Sequence, residues 1–281
     1  MNFVPAHLTS GLLAILAYGT ASVLYVQNLG KPRTARGLVA SSLTAAGAVL
    51  NMTSLYQRSR ALHSVPYRDL LGSLSLFGFF LAVLSLVLEV RHRDRSLGAF
   101  LVPAALLFLL VALLVPPTGA PPAPELRGSL FALHVTLNML AYAAFAVAFC
   151  LSTLYLVVGR SLKKVPSRGF DGPASRLPTL GYLERANRTS LGVGVLALAI
   201  GLSCGVSWAA RVWGPEHPGW YLDPKIWAAF ITLAFYAVVV VRAHRGAPPV
   251  VTARLTLAGF ALVLLSYTAI NLFVSRLHSF T

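Results

Sequence analysis

Apolar stretches close to twenty residues long, each bounded by basic or turn-forming residues, recur eight times along the chain, at roughly 8–29, 37–56, 69–90, 97–115, 130–158, 189–213, 224–241 and 255–276. A helix needs about 20 such residues to cross the hydrocarbon of a bilayer, so the pattern predicts eight transmembrane helices. Nowhere does the alternating ten-residue pattern of a membrane barrel appear. The expected fold class is therefore all-α, a polytopic membrane helical bundle.

Composition agrees with the pattern. Hydrophobic residues make up 57% of the chain and charged ones 11%, and the mean hydropathy is +0.73. A soluble domain of 281 residues would not carry that balance. No segment between the spans is large enough to fold alone. The longest connection, 159–188, is rich in Pro, Gly, Ser and Arg and reads as a cytoplasmic loop, and the proline-rich stretch 116–128 reads as a stiff outer spacer. The chain divides into an N-terminal four-helix segment (1–129) and a second four-helix segment (130–281), expected to form one integrated bundle.

Charge placement predicts the orientation. Sixteen of the 23 Lys and Arg fall in 31–36, 91–95, 160–188 and 242–254, all on one side of an eight-span chain, and seven fall on the other. Basic residues are retained on the cytoplasmic side, so both termini are expected on the outer side of a cell inner membrane. The 57–68 loop opposes this trend. Because the formal charge of +15 is spread over short loops, it reads as topology and attraction to anionic lipid, not as a nucleic-acid surface. The first span has Lys31 after it and no basic residue ahead of it, the reverse of a signal peptide. All eight acids lie at span ends or in loops, which argues against a proton-coupled pump, and no internal repeat suggests a transporter. Cys150 and Cys204 fall at different depths and read as packing residues, with no CxxC or CxxCH beside them.

The candidate chemistry lies in two histidines and the tryptophans between them. Counting about 20 hydrocarbon residues outward from Arg160 and from Arg254 leaves His134 and His278 each roughly 6 Å above the outer boundary, at one level. His134, Asn138 and Tyr142 share one face of span five, and Tyr267, Asn271, Ser275 and His278 share one face of span eight. Such polar stripes face a protein interior or a cavity, since lipid offers them no partners. Two imidazoles at one height can clamp a metal centre, and Trp208, Trp213, Trp220 and Trp227 can hold a flat cofactor. The plain alternative for each histidine is a satisfied interfacial group, and for the tryptophans an ordinary aromatic belt.

Three segments, taken in order, resemble a known family. Trp208, Trp213-Gly214, Trp220-Tyr221-Leu222-Asp223-Pro224-Lys225 and Trp227 resemble the tryptophan-rich WWD signature of the CcsA, CcmC and CcmF cytochrome c assembly proteins. His134-Val135-Thr136-Leu137-Asn138-Met139-Leu140-Ala141-Tyr142 is similar to the HVSxMxLxYAA helix of the CcsA branch, and Asn271 through Leu277-His278-Ser279-Phe280 to its closing NxxxxGLHSY. The resemblance spans about residues 130–281. It implies a haem-handling membrane protein in which His134 and His278 are axial ligands of haem iron. Trp208, Trp213, Trp220 and Asp223 would form the platform for haem b, bound or in transit, and Lys225 or Arg211 would attract a propionate. The partners implied are haem, a ResB-type membrane protein and an apocytochrome c with a CxxCH site, within a cytochrome c haem lyase or synthase.

The chain departs from that pattern in four places. The first Trp-to-Trp interval is three residues longer than in the family's WGxxWxWDPKE core, Leu222 replaces a Trp, Ile226 replaces the closing Glu, and Val241 stands where the longer members carry an inner histidine. These departures keep a second reading open: a HemX-like or YpjD-like scaffold or regulator of the same superfamily that does not deliver haem. A small-solute transporter is the third.

Overall fold

The computed structural model describes residues 6–63, 65–66, 69–115, 128–164, 177–213 and 219–265. Eight α-helices account for nearly all of them: α1 (Ala6–Gly30), α2 (Thr34–Leu62), α3 (Leu70–His92), α4 (Gly98–Leu114), α5 (Ser129–Lys164), α6 (Leu180–Val212), α7 (Pro224–His244) and α8 (Pro249–Leu265). A short 3-10 turn, Trp220–Leu222, leads into α7. No strand occurs among the described residues. Six of the helices are long and apolar enough to cross a membrane, and α4 and α8 are shorter apolar helices. The chain is thus an all-α, multi-pass membrane protein. The expected spacer at 116–128, the last turns of span eight and its stripe of Tyr267, Asn271, Ser275 and His278 lie outside the described residues, apart from Gly128.

Several helices overrun the apolar stretches that predict them. The largest difference is at 159–188, expected as loop: α5 continues to Lys164 and α6 begins at Leu180. Hydropathy marks only the hydrocarbon slab, whereas helical hydrogen bonding continues until the local chemistry stops it. At the start of α6 the Thr179 hydroxyl oxygen accepts from the Tyr182 backbone N–H at 3.3 Å, in the manner of an N-cap. One turn on, Arg188 donates to Glu184 at 2.7 Å, an i, i+4 pair that supports the polar first turns. Tyr182, Leu183 and Ala186 are buried there, giving that segment an apolar face despite its charge.

The chain separates into two compact units, 1–123 with 161–182, and 124–160 with 183–281. In the first, α1 packs on α2 and α4, and α3 on α2 and α4, which closes a four-helix ring. Small residues admit large ones at these contacts: a side chain on Gly47 would overlap the ring of Tyr18, and one on Gly98 would overlap Tyr25. Polar ties replace the hydrophobic drive that lipid removes. Asn51 and Ser75 hydrogen-bond reciprocally between α2 and α3, at 3.1 and 2.8 Å. At one end of the ring the Glu89 carboxylate accepts from Tyr25 (2.8 Å), Ser41 (2.5 Å) and Arg95 (2.9 Å). At the other, Arg58 is paired with Asp69 and donates to the Pro66 carbonyl at 2.6 Å, with both side chains buried. One of the basic residues that opposes the charge trend is therefore neutralised inside the protein.

The second unit is built from α5 to α8 around Phe145, Leu191, Leu198, Tyr236, Val239 and Val263. Phe145 of α5 and Tyr236 of α7 stack with centroids 3.8 Å apart and planes 5° apart. Both cysteines, Cys150 and Cys204, are free thiols.

Candidate functional site

The register between α5 and α6 decides where the polar stripe of α5 lies. A side chain built on Gly194 would overlap the ring of Phe145, one on Gly201 would meet Asn138, and one on Gly205 would overlap the ring of His134. From Gly194 to Gly201 to Gly205 the steps along α6 are seven and four residues, matched by the same steps back along α5 from Phe145 to Asn138 to His134. Two antiparallel helices in contact keep such a register, and three α5 side chains need space where α6 carries only hydrogen.

His134, Asn138 and Tyr142 all line a single cavity. Its other walls are Leu202, Gly205, Trp208 and Ala209 of α6, Trp213 just after it, Trp220 of the 3-10 turn, Lys225, Ile226, Ala228, Ala229 and Thr232 of α7, and Val263 of α8. The floor is apolar and the polar groups converge from α5 and from the start of α7. The cavity volume is about 110 Å³. Sites that enclose a whole small ligand usually measure ~300–1,000 Å³, more than the space these residues leave.

At one wall Trp208 and Trp213 are in ring contact. Phe131 meets Trp208 at 5.2 Å, and Trp208 meets Trp213 edge-on at 4.9 Å and 67°, both indoles being nearly buried. Trp220 is half-buried and sits against Tyr221 at 6.1 Å. Trp227 is 55% exposed and is not a wall residue.

Asp223 has a different place from its neighbours. It is buried, it is not among the lining residues, and its carboxylate accepts from the Lys225 backbone N–H at 2.8 Å as the N-cap of α7. Pro224 follows at the first helical position, where a missing N–H costs nothing. Asp223 thereby fixes the first turn of α7, which carries Lys225 and Ile226 onto the cavity wall.

His134 is held by two contacts. Its Nδ1 lies 2.8 Å from the Gly201 carbonyl oxygen, and the Asn138 side-chain nitrogen lies 3.1 Å from Nδ1 and 3.3 Å from Nε2. A carbonyl only accepts, so Nδ1 carries the proton and Nε2 keeps its lone pair, the form in which imidazole binds a metal. Among the described residues, no three of His, Cys, Asp and Glu gather at one point.

Of the residues the sequence nominates, the structure brings His134, Trp208, Trp213 and Trp220 to one cavity and gives Asp223 a supporting position. His278 and the 214–218 part of the tryptophan-rich loop lie outside the described residues. Gly201, Gly205, Ala229, Thr232 and Val263 carry no sequence signal of their own, although the matched steps of α5 and α6 could have drawn attention to the two glycines.

Comparison with known proteins follows the same segments. The family model described as cytochrome C assembly protein matches residues 67–278, about three quarters of the chain. Among similar proteins, the cytochrome c biogenesis protein CcsA of Porphyra purpurea is 26% identical, with 93% of each chain covered. The protein of that name from Prochlorococcus marinus (strain NATL2A) is 29% identical, with 76% of each chain covered. The one from Chlamydomonas reinhardtii is 26% identical over 97% of this chain and 73% of its own. With a family match over most of its length, the apolar helices it requires and the cavity of α5 to α8 inside the matched region, the chain belongs to the cytochrome c assembly protein family.

Proposed function

We propose that this protein is a CcsA-like subunit of c-type cytochrome assembly that holds haem b at the outer membrane face between His134 and His278. The observation that carries the reading is the His134 environment: an imidazole whose Nδ1 donates to a backbone carbonyl, leaving the ring lone pair on Nε2, in a cavity shared with Trp208, Trp213 and Lys225. Those groups match the needs of haem, which are a neutral nitrogen for iron, apolar cover for the ring and a cation for a propionate.

Each residue then has a task. His134 and His278 would be the residues that hold the haem iron, each through an imidazole nitrogen. Trp208, Trp213 and Trp220 cover apolar surface and keep water from the iron side. Lys225, placed by the Asp223 cap, neutralises a carboxylate. When bound, haem supplies vinyl groups that accept the two thiols of a CxxCH site, and the protein contributes orientation. At about 110 Å³ the cavity grips only part of a macrocycle, so the site is suited to presenting a cofactor and not to enclosing one. A separate ResB-type membrane protein and the apocytochrome are the partners that complete the reaction.

Genetic complementation tests this. Deleting the gene is expected to abolish covalently haem-stained c-type cytochromes in the membrane fraction, with wild type restoring them and His134→Ala failing to. Intact cytochromes in the deletion strain would overturn the reading in favour of a HemX-like or YpjD-like scaffold.

A further inference from the structure

We propose that the Asn138 carboxamide and the Gly201 backbone carbonyl are positioning groups for His134, holding its ring in the Nδ1–H tautomer and in one plane so that Nε2 is the nitrogen that keeps the in-plane lone pair. The use made of Nε2 rests on the haem reading above; the geometry of the ring does not.

The carbonyl sets the tautomer by accepting from Nδ1–H at 2.8 Å. Asn138 acts differently. Its nitrogen is almost equidistant from the two ring nitrogens, at 3.1 and 3.3 Å. A point that close to both cannot lie in the plane of the ring without overlapping Cε1, so the carboxamide lies over the ring face. A group over the face does not occupy the in-plane lone pair of Nε2. Exchanging the amide oxygen and nitrogen leaves this conclusion unchanged, because the carboxamide plane stays where it is.

Shape holds the pair in place. The Asn138 Oδ1 is enclosed and has no hydrogen-bond partner among the described residues, and a Cβ on Gly201 would come within 2.6 Å of it. A Cβ on Gly205 would overlap the Nδ1 and Cε1 side of the ring. The imidazole therefore leans on α6 at a point where Gly205 carries only hydrogen. Groups in this supporting position usually change metal affinity about 10–100-fold when removed.

The test uses the full chain in detergent without haem, labelled with 15N-histidine, at a pH above the ordinary imidazole range. The His134 signals are those lost in His134→Gln. Wild type is expected to show one fixed Nδ1–H tautomer, and Asn138→Ala and Gly205→Ala an averaged one. An Nε2–H or averaged signal in wild type, which needs no variant to fold, overturns the proposal, as does an Asn138→Ala signal identical to wild type. Haem titration separates the two readings. Asn138→Ala is expected to weaken uptake about 10–100-fold. If His134→Gln takes up haem as wild type does, the haem reading fails and the tautomer result still decides this one. If uptake needs His134 but Asn138→Ala binds equally well with an unchanged tautomer, only the positioning proposal fails.

Discussion

Gly205 lies where any side chain would overlap the imidazole of His134, while one turn earlier the Gly201 carbonyl accepts from the same ring at 2.8 Å. Two glycines one turn apart on α6 thus do opposite things for one residue of α5: one makes room and the other makes a bond. The consequence is a histidine whose orientation is built into helix packing and not left to a loop. That is the arrangement a ligand-holding group needs.

Gly205→Leu is expected to drive the ring out of its seat. Overpacking of this kind costs about 1–3 kcal/mol. Thermal melting in detergent should show the loss, and the absorbance of added haem should fall with it. The exposed control Leu196→Ala, at 66% exposure, should change neither.

The buried pair of Arg58 and Asp69 predicts an effect on stability without an effect on the site. Arg58→Met takes the cation away from the buried Asp69 carboxylate, and removing one partner of such a pair costs about 3–5 kcal/mol. Arg58→Met with Asp69→Leu should recover part of that loss, less about 1 kcal/mol because Asp69 also caps α3 by accepting from the Gly72 N–H at 2.9 Å. Denaturation midpoints check the difference, and haem bound per folded molecule should be the same in all three proteins.

Asp223→Ala should cost about 1 kcal/mol as a lost helix cap and weaken haem uptake through the displaced first turn of α7. Asp223→Ser keeps a capping oxygen and should restore both. An Asp that contacted the cofactor by its charge would not be replaced by Ser, so this pair of variants separates the two roles.

Trp213→Ala removes a nearly buried indole and should destabilise the protein by about 3–5 kcal/mol. Trp227→Ala, 55% exposed and away from the cavity, should leave melting and haem uptake near wild type. Equal effects of the two on haem uptake would mean that the whole loop, not the cavity wall, carries the binding.

Much of this was legible in the chain itself, and the parts that were not have physical reasons. Hydropathy locates the helices because the bilayer imposes their length, but it misplaces the boundaries at 159–188, where Thr179 and the Glu184–Arg188 pair extend helix beyond the slab. The stripe of His134, Asn138 and Tyr142 follows from helical period alone, and all three reach the cavity. Gly201 and Gly205 are silent in the sequence, since a glycine in an apolar helix acquires meaning only from the partner it faces. For Asp223 the local signal was present: an Asp followed by Pro at the start of an apolar run is the pattern of a helix N-terminus. Resemblance places it in the platform, and in the structure its carboxylate caps α7.

The central claim is that His134 and His278 ligate one haem iron. Low-temperature electron paramagnetic resonance of the ferric protein, loaded with one equivalent of haem b, tests it most directly. Wild type should give a low-spin spectrum of bis-imidazole ligation, and His134→Ala and His278→Ala should each convert it to high spin. A high-spin wild-type spectrum, or a low-spin one that survives either substitution, would contradict the account.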